Sequence, residues 1–239
     1  MTTPTIGLLY PGVGADDDFP RLEQRLAGTL RLPVAYTAGG DVAHEVDELL
    51  AVGSAANLAA GAKEILAESP DAIVWTCTSG SFVFGLEGAR QQAQEITDLV
   101  SVPASSTSLA FAAACHALDA KAVSVAASYP EDVARHFAKF LADAGVQVLS
   151  MRSQGIATAG EVGKLGRQQV IEMAQAADHE DAAAVLIPDT AMHSLDWIED
   201  IERELGKPVL TANQVSVWEG LRIAGMPMRI NELGALFRL

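Results

Sequence analysis

A repeated order of strand-ending motifs constrains this chain more than any other feature. Tyr10-Pro11 closes the apolar run TIGLLY, and Tyr129-Pro130 follows the run AVSVAA; acidic residues and a helical pattern come next in both places. Further along, VWTCTSGS closes one buried-strand pattern and LIPDTAMHS closes another. Two Pro-led strands, SVPASSTSLAFAA and KPVLTANQVSVWEG, then run into Ser/Thr/Asn-rich helix starts. Three pairs in one order mark a duplicated structural unit. The halves fall at residues 1–115 and 116–215, with 216–239 packing back on the first half as a C-terminal tail.

Within each half, short apolar or β-branched runs alternate with amphipathic stretches. The strand runs begin at Thr5, Pro33, Asp71, Ser101, Ala122, Val146, Ala183 and Lys207. Between Glu131 and Gly145, Val133, Phe137, Phe140 and Leu141 recur at helical spacing, and Gly145 ends the pattern. The stretch LDWIEDIERELGKPV has the same design, with Leu195, Ile198, Ile201 and Leu205 inward and Gly206 and Pro208 as the stop. Such alternation predicts an α/β fold: two pseudo-two-fold-related halves built on parallel sheets, with the active site in the cleft between them. Ligands of open α/β sheets bind at the carboxyl ends of the strands, where all these polar clusters lie.

Composition narrows the partners. Half of the 239 residues are hydrophobic (49%) and 20% are charged, enough for a substantial core. A formal net charge of −15 argues against nucleic acid and anionic membrane, both of which attract basic surfaces. A small anionic substrate stays possible, because a few local donors hold a carboxylate inside an acidic protein. Two cysteines make no disulfide framework, and MTTPTIGLLYPG lacks the regions of a signal peptide. SLAFAAACHAL is too short and too polar to span a bilayer. The expectation is a cytoplasmic protein with reduced thiols, with homo-oligomerisation left open.

Cys77 is the sharpest chemical candidate. It ends a hydrophobic strand and precedes Thr78, Ser79, Gly80 and Ser81, just before the helical pattern FGLEGARQQAQEI. Backbone N–H groups at a helix start favour a thiolate there, and Thr78 and Ser79 can hold a carboxylate. The alternative is a small buried hydrophobe closing a core strand. Asp189 takes the equivalent place in the second half, where it serves chemistry, or caps a helix from Thr190 towards Leu195, or both.

His193, four residues on, is a possible proton carrier in the same cleft. His44, His116, His136 and His179 sit in helical or polar surroundings and form no spaced ligand set, so no metal is expected. Cys115, mid-helix, reads as core packing. Tyr10 and Tyr129 end equivalent strands, where their phenols either donate to a bound carboxylate or pack at a corner. Gly12-Val13-Gly14 is a weak phosphate-loop pattern, and Asp16, Asp17 and Asp18 directly after it rule out a nucleotide site. Trp75, Phe82, Phe84, Met192 and Trp218 are candidates for shaping the pocket.

The order of these motifs over nearly the whole chain resembles the aspartate/glutamate/hydantoin racemase superfamily, which includes arylmalonate decarboxylase and maleate cis–trans isomerase. TPTIGLLYPG is similar to the family's opening strand and loop, WTCTSGSF to its first catalytic loop, VAASYPEDV to a tyrosine-bearing loop, and PDTAMHSLDWIEDIERELGKPVL to the second catalytic loop and following helix. The resemblance implies chemistry without a cofactor, with a cysteine of each half facing the substrate from opposite sides. It makes Cys77 the first-half cysteine, gives Thr78, Ser79 and Tyr129 the substrate carboxylate, and sets Pro11 along the cleft. Thr190 and His193 are the second-half candidates for substrate contact.

The chain departs from that pattern at Asp189, which stands where a second cysteine is expected. Two negative groups in one cleft push each other towards protonation. Either a Cys77 thiolate is nucleophile or base with Asp189 as acid, or the roles are reversed. The expected function is an isomerase or racemase of a small carboxylate or dicarboxylate, resembling maleate isomerase. The alternatives are a cofactor-free decarboxylase of a malonate-type acid and a non-catalytic binder of small acids.

Overall fold

The computed structural model describes residues 3–37 and 40–239. The eight expected strands form two four-stranded parallel sheets. The first contains β1 (Ile6–Tyr10), β2 (Val34–Tyr36), β3 (Ala72–Trp75) and β4 (Ala104–Ser106) in the order β2-β1-β3-β4. The second contains β5 (Ala122–Ala127), β6 (Gln147–Ser153), β7 (Ala184–Ile187) and β8 (Val209–Thr211) in the order β6-β5-β7-β8. The order is the same in both, so the duplication seen in the motifs is a duplication of topology. Every residue of β1, β3 and β7 is buried, which is why these strands read as unbroken apolar runs: helices cover both faces of each sheet.

The first half carries α1 (Asp18–Arg25), α2 (Val46–Val52), α3 (Ala55–Ile65), α4 (Ser79–Phe82), α5 (Gly85–Val100) and α6 (Thr107–Ala117). The second carries α7 (Glu131–Asp143), α8 (Ala159–Val162), α9 (Arg167–Ala177), α10 (Ile198–Leu205) and α11 (Ala212–Ile223). In α7, Val133, Phe137, Phe140 and Leu141 are all buried, as their spacing requires. The α10 helix starts at Ile198, later than the periodicity implies, and Leu205 is only half-buried. The pattern after Cys77 splits into α4 and α5, because Gly85 at φ +71° interrupts it. The Ser/Thr-rich starts are caps: Ser106 accepts from the Leu109 N–H, and Thr211 and Gln214 form a capping box on α11.

The halves interlock. The α11 helix lies on β1, β3 and β4 and pairs with α6, where the Thr107 and Ser216 hydroxyls meet at 2.7 Å. The tail divides between the halves. Its last 3-10 turns (Asn231–Leu233 and Ala235–Arg238) reach α10, with the Ala235 N–H on Glu202 and Gln214 donating to the Leu233 carbonyl. Asp18, 1% exposed, accepts from the backbone N–H groups of Ser194 (3.0 Å) and Leu195 (3.3 Å), from Asn213 (3.1 Å) and from Arg21 (2.7 Å).

The expectation that no apolar stretch approaches the length needed to span a bilayer needs amendment. By length and composition alone, Val46–Glu68 is long and apolar enough to cross a membrane. It is not one helix here: Gly53-Ser54 breaks it, and α3 packs on β1, β2 and α5, with Leu58, Ala62 and Ile65 in the core.

Candidate active site

The central strands β3 and β7 end at equivalent places, and each hands its next residues to the cleft. After β3 come Thr76, Cys77 and Thr78; after β7 come Pro188, Asp189 and Thr190. Cys77 (3% exposed) and Asp189 (4%) are both enclosed, and the Asp189 charge is felt at the thiol. Pro11, Thr78, Ser79, Tyr129 and Thr190 are buried with them. The two loops, equivalent in the duplication, thus both lead into one buried polar cluster.

Around Cys77 the backbone is tightly drawn. The Gly80 N–H donates to Sγ at 3.3 Å, and the Ser79 hydroxyl lies 3.9 Å from it. A side chain at position 80 would sit 3.0 Å from Sγ and 3.1 Å from Trp75, so glycine is what admits this approach. Of the two assignments left open for Cys77, burial favours the protonated thiol. Burial pushes the thiol up to about 11, outweighing the pull of the Gly80 N–H and the Ser79 hydroxyl; the Asp189 charge adds to the rise. The α4 helix has a single turn, too short for the dipole support that a long helix gives.

This state has a measurable consequence. Iodoacetamide labelling of Cys77 should climb roughly tenfold per pH unit between about pH 8 and 10, because only the thiolate reacts. Mass analysis of the Cys77 peptide reads the rate, and a plateau already near pH 8 contradicts a thiol held protonated. Cys115, buried in α6 and pushed up to about 12 by that burial, is the internal reference.

Asp189 caps no helix, since none begins after it before Ile198. Its Oδ1 accepts the Ala191 N–H at 2.9 Å, and Ser128 donates its hydroxyl to Oδ2. Thr78 Oγ1 is buried with no hydrogen-bond partner among the described residues, an orphan donor beside the thiol that a bound ligand oxygen can satisfy. The two tyrosines play crossed parts. Tyr10, from the first half, donates to the Thr190 carbonyl at 2.9 Å and accepts the Ala15 N–H at 3.0 Å. Tyr129 donates to the Pro188 carbonyl and lies beside Thr78 and Ser79. Burial first, then the charges of Asp189 and Cys77, holds the Tyr129 phenol well above its ordinary range.

His193 is not part of this cluster. Its Nε2 lies 2.7 Å from Asp17 at the half-exposed rim, a surface ion pair when protonated. Sequence reasoning set His44 aside, yet the structure buries it in the site (4% exposed), edge-on to Tyr129 at 4.9 Å and 3.9 Å from Asp189. A backbone clasp puts it there: Ala43 bridges Thr158, the His44 N–H donates to the Ala157 carbonyl and the Ala159 N–H to the Val42 carbonyl. Among the pocket candidates, Phe82 packs on Tyr129 (5.7 Å) while Trp75 lies under the Cys77 loop, donating to the Gly80 carbonyl. Met192 is buried, Phe84 is exposed, and Trp218 stacks with Arg222 on α11. The Gly12–Gly14 loop serves close packing: a side chain at Gly14 (φ +146°) would meet Ala191 at 2.6 Å. Among the described residues no three His, Cys, Asp or Glu side chains converge as a metal site.

The family model described as arylmalonate decarboxylase matches residues 33–237, almost the whole chain. The chain belongs to the arylmalonate decarboxylase family. Arylmalonate decarboxylase from Bordetella bronchiseptica is 26% identical over 150 residues, 62% of this chain and 62% of that protein, so the match spans under two thirds of that relative. Maleate isomerase from Nocardia farcinica (strain IFM 10152) is 26% identical over 181 residues, 73% of this chain and 72% of that one. A solved structure of a Nocardia farcinica maleate cis–trans isomerase mutant, with a covalently bound succinylcysteine intermediate, superposes with a TM-score of 0.88 at 24% identity, covering 98% of each chain. The α/β fold of paired parallel sheets is thus that of the arylmalonate decarboxylase family, whose members here are enzymes, decarboxylases and isomerases.

Proposed function

We propose that this protein is a cofactor-independent, cysteine-dependent isomerase or racemase of a small carboxylate or dicarboxylate. One observation carries the reading: a thiol and a carboxylate close the ends of equivalent central strands and are buried together over an unpartnered threonine hydroxyl. A pair of proton-transferring groups facing one enclosed space suits a reaction that takes a proton from one side of a carbon and returns it on the other. The substrate carboxylate is held by Thr78 and Ser79, joined by Tyr129 once its hydroxyl turns from the Pro188 carbonyl, and Pro11 and Thr190 complete the walls. His193 is dropped from the substrate-binding set.

The resting protonation states support one of the two role assignments. Cys77 keeps its proton, and the acceptor-only carboxylate of Asp189 satisfies Ser128 and the Ala191 N–H without one. Asp189 therefore takes the α-proton while the Cys77 thiol delivers its own to the opposite face. The thiolate left behind is held by the Gly80 N–H and the Ser79 hydroxyl until the protons return. For an unsaturated diacid the same groups suffice. Asp189 receives the thiol proton, sulfur bonds to one alkene carbon, and the electron pair moves towards a carboxylate. The new single bond rotates, and loss of sulfur restores the double bond. The succinylcysteine adduct of the Nocardia farcinica isomerase mutant supports this route.

A decarboxylase is the second reading, favoured by the thiol pushed up to about 11: loss of CO₂ leaves an enediolate that needs only one proton donor. Incubation with candidate diacids and amino acids in D₂O separates the readings. Stereoinversion with α-deuterium uptake or cis–trans conversion supports the proposal, whereas CO₂ release with single deuteration replaces it with the decarboxylase. Asp189→Asn should lower kcat at least about a hundredfold, the range of a general acid–base group. The amide can still accept the Ala191 N–H, so the melting temperature should move little. A drop in turnover no larger than the loss of folded protein would reduce Asp189 to a structural residue.

A further inference from the structure

We infer that His44 is a positioning residue for Asp189: as an imidazolium it supplies the counter-charge that keeps this carboxylate ionised and aimed into the site. The inference rests on the proposed role of Asp189 as base. Its starting point is the tautomer. His44 Nδ1 lies 2.9 Å from the Ile156 carbonyl, which can only accept, so Nδ1 carries a proton. The other nitrogen, Nε2, then faces Asp189 Oδ2 at 3.9 Å, an oxygen that already accepts from Ser128. An unprotonated Nε2 would set a lone pair against a carboxylate in an enclosed site. A protonated Nε2 sets a cation there instead, and burial strengthens the attraction.

The surroundings leave His44 alone in this task. Among the described residues it is the one basic side chain within ion-pair distance of Asp189. The titratable groups that face the pair are the Tyr129 phenol, whose ring meets the imidazole edge-on, and the Cys77 thiol and Tyr10 phenol, which the Asp189 charge reaches. On its own segment, Glu45 is exposed and Asp41 is engaged with the Gly160 N–H. None of these adds positive charge. An anionic substrate entering beside Asp189 thus meets a neutral pair rather than a bare carboxylate. This offers a physical account of how an acid stands where a second thiol is expected: the thiol needs no cation, and the carboxylate brings one from the clasp.

Two measurements test the assignment. The first is the ¹⁵N spectrum of the His44 ring at neutral pH in the full chain, with no substrate. Both ring nitrogens should be protonated in the unsubstituted protein, and Nε2 should become an unprotonated acceptor in Asp189→Asn. A single protonated nitrogen in the unsubstituted protein overturns the inference. This readout is independent of turnover, so it stands or falls separately from the proposed reaction. The second is the steady-state kinetics of His44→Gln, read as a split between kcat and KM. At neutral pH kcat should fall about tenfold, with KM changed less than about threefold. An unchanged kcat, or a loss carried mainly by KM, also overturns it. If His44→Gln does not fold, the ring spectrum of the unsubstituted chain decides alone.

Discussion

Cys77→Ser lowers kcat by about a thousandfold or more, an increase of ~4 kcal/mol in the activation barrier, with the fold unchanged. A hydroxyl is a much weaker acid and nucleophile than a thiol, so it serves neither as the proton donor nor as the attacking atom. The substitution is close to isosteric, and the Gly80 N–H that approaches Sγ at 3.3 Å keeps an acceptor. Steady-state kinetics beside a thermal melt separates the effects: the expected result is a melting temperature within a few degrees and almost no turnover. Retained turnover in a folded Cys77→Ser protein removes the thiol from the chemistry. Such an outcome would count against the isomerase and decarboxylase readings together, because both pass a proton or a bond through this sulfur.

Asp18→Ala has the largest expected effect on stability, about 3–5 kcal/mol, because it strips the acceptor from three buried donors at ~1–3 kcal/mol each. The residue opens α1 in the first half yet holds the turn at Ser194 and Leu195 and the side chain of Asn213 in the second. Removing the carboxylate leaves two buried N–H groups and one amide without an acceptor, and Arg21 without its nearest partner. Urea unfolding measures the loss; Asp18→Asn, which keeps one acceptor, should cost less than Asp18→Ala. Equal stability of Asp18→Ala and the unsubstituted chain would mean that the turn is held by something else. The acid triplet that excludes a nucleotide from the first loop thus has a positive role in its last member.

The fold was legible because its information is local and repeated. Apolar runs of strand length, amphipathic helices with Gly stops, and the same motif order twice over specify both sheets and their common topology. Cys77 and Asp189 were legible for the same reason: each closes a buried strand, where a polar side chain has few structural uses. His44 was not, because its segment has no period. What defines it is a clasp to residues more than a hundred positions away, with an imidazole hydrogen bond to Ile156 that no spacing rule encodes. The spacing of residues left the thiol's resting state open between thiolate and proton donor for a related reason. Strand-end position implies nearby N–H groups, which exist, but burial depends on how both halves close over the site, and burial dominates. His193 shows the converse: four residues from Asp189 in sequence, it turns outward to Asp17.

The duplicated sheets also have a stereochemical meaning. The common strand order makes the end of β7 the equivalent of the end of β3, so a flat carbon centre lying between them shows one side to each. With identical groups at both ends such a frame is blind to handedness. Setting sulfur on one side and carboxylate on the other makes it chiral in its chemistry as well as in its shape. In the proposed reaction, mirror-image substrates give up their proton to different elements, one to oxygen and the other to sulfur. Their isotope effects are then unequal, although the equilibrium between them is not displaced.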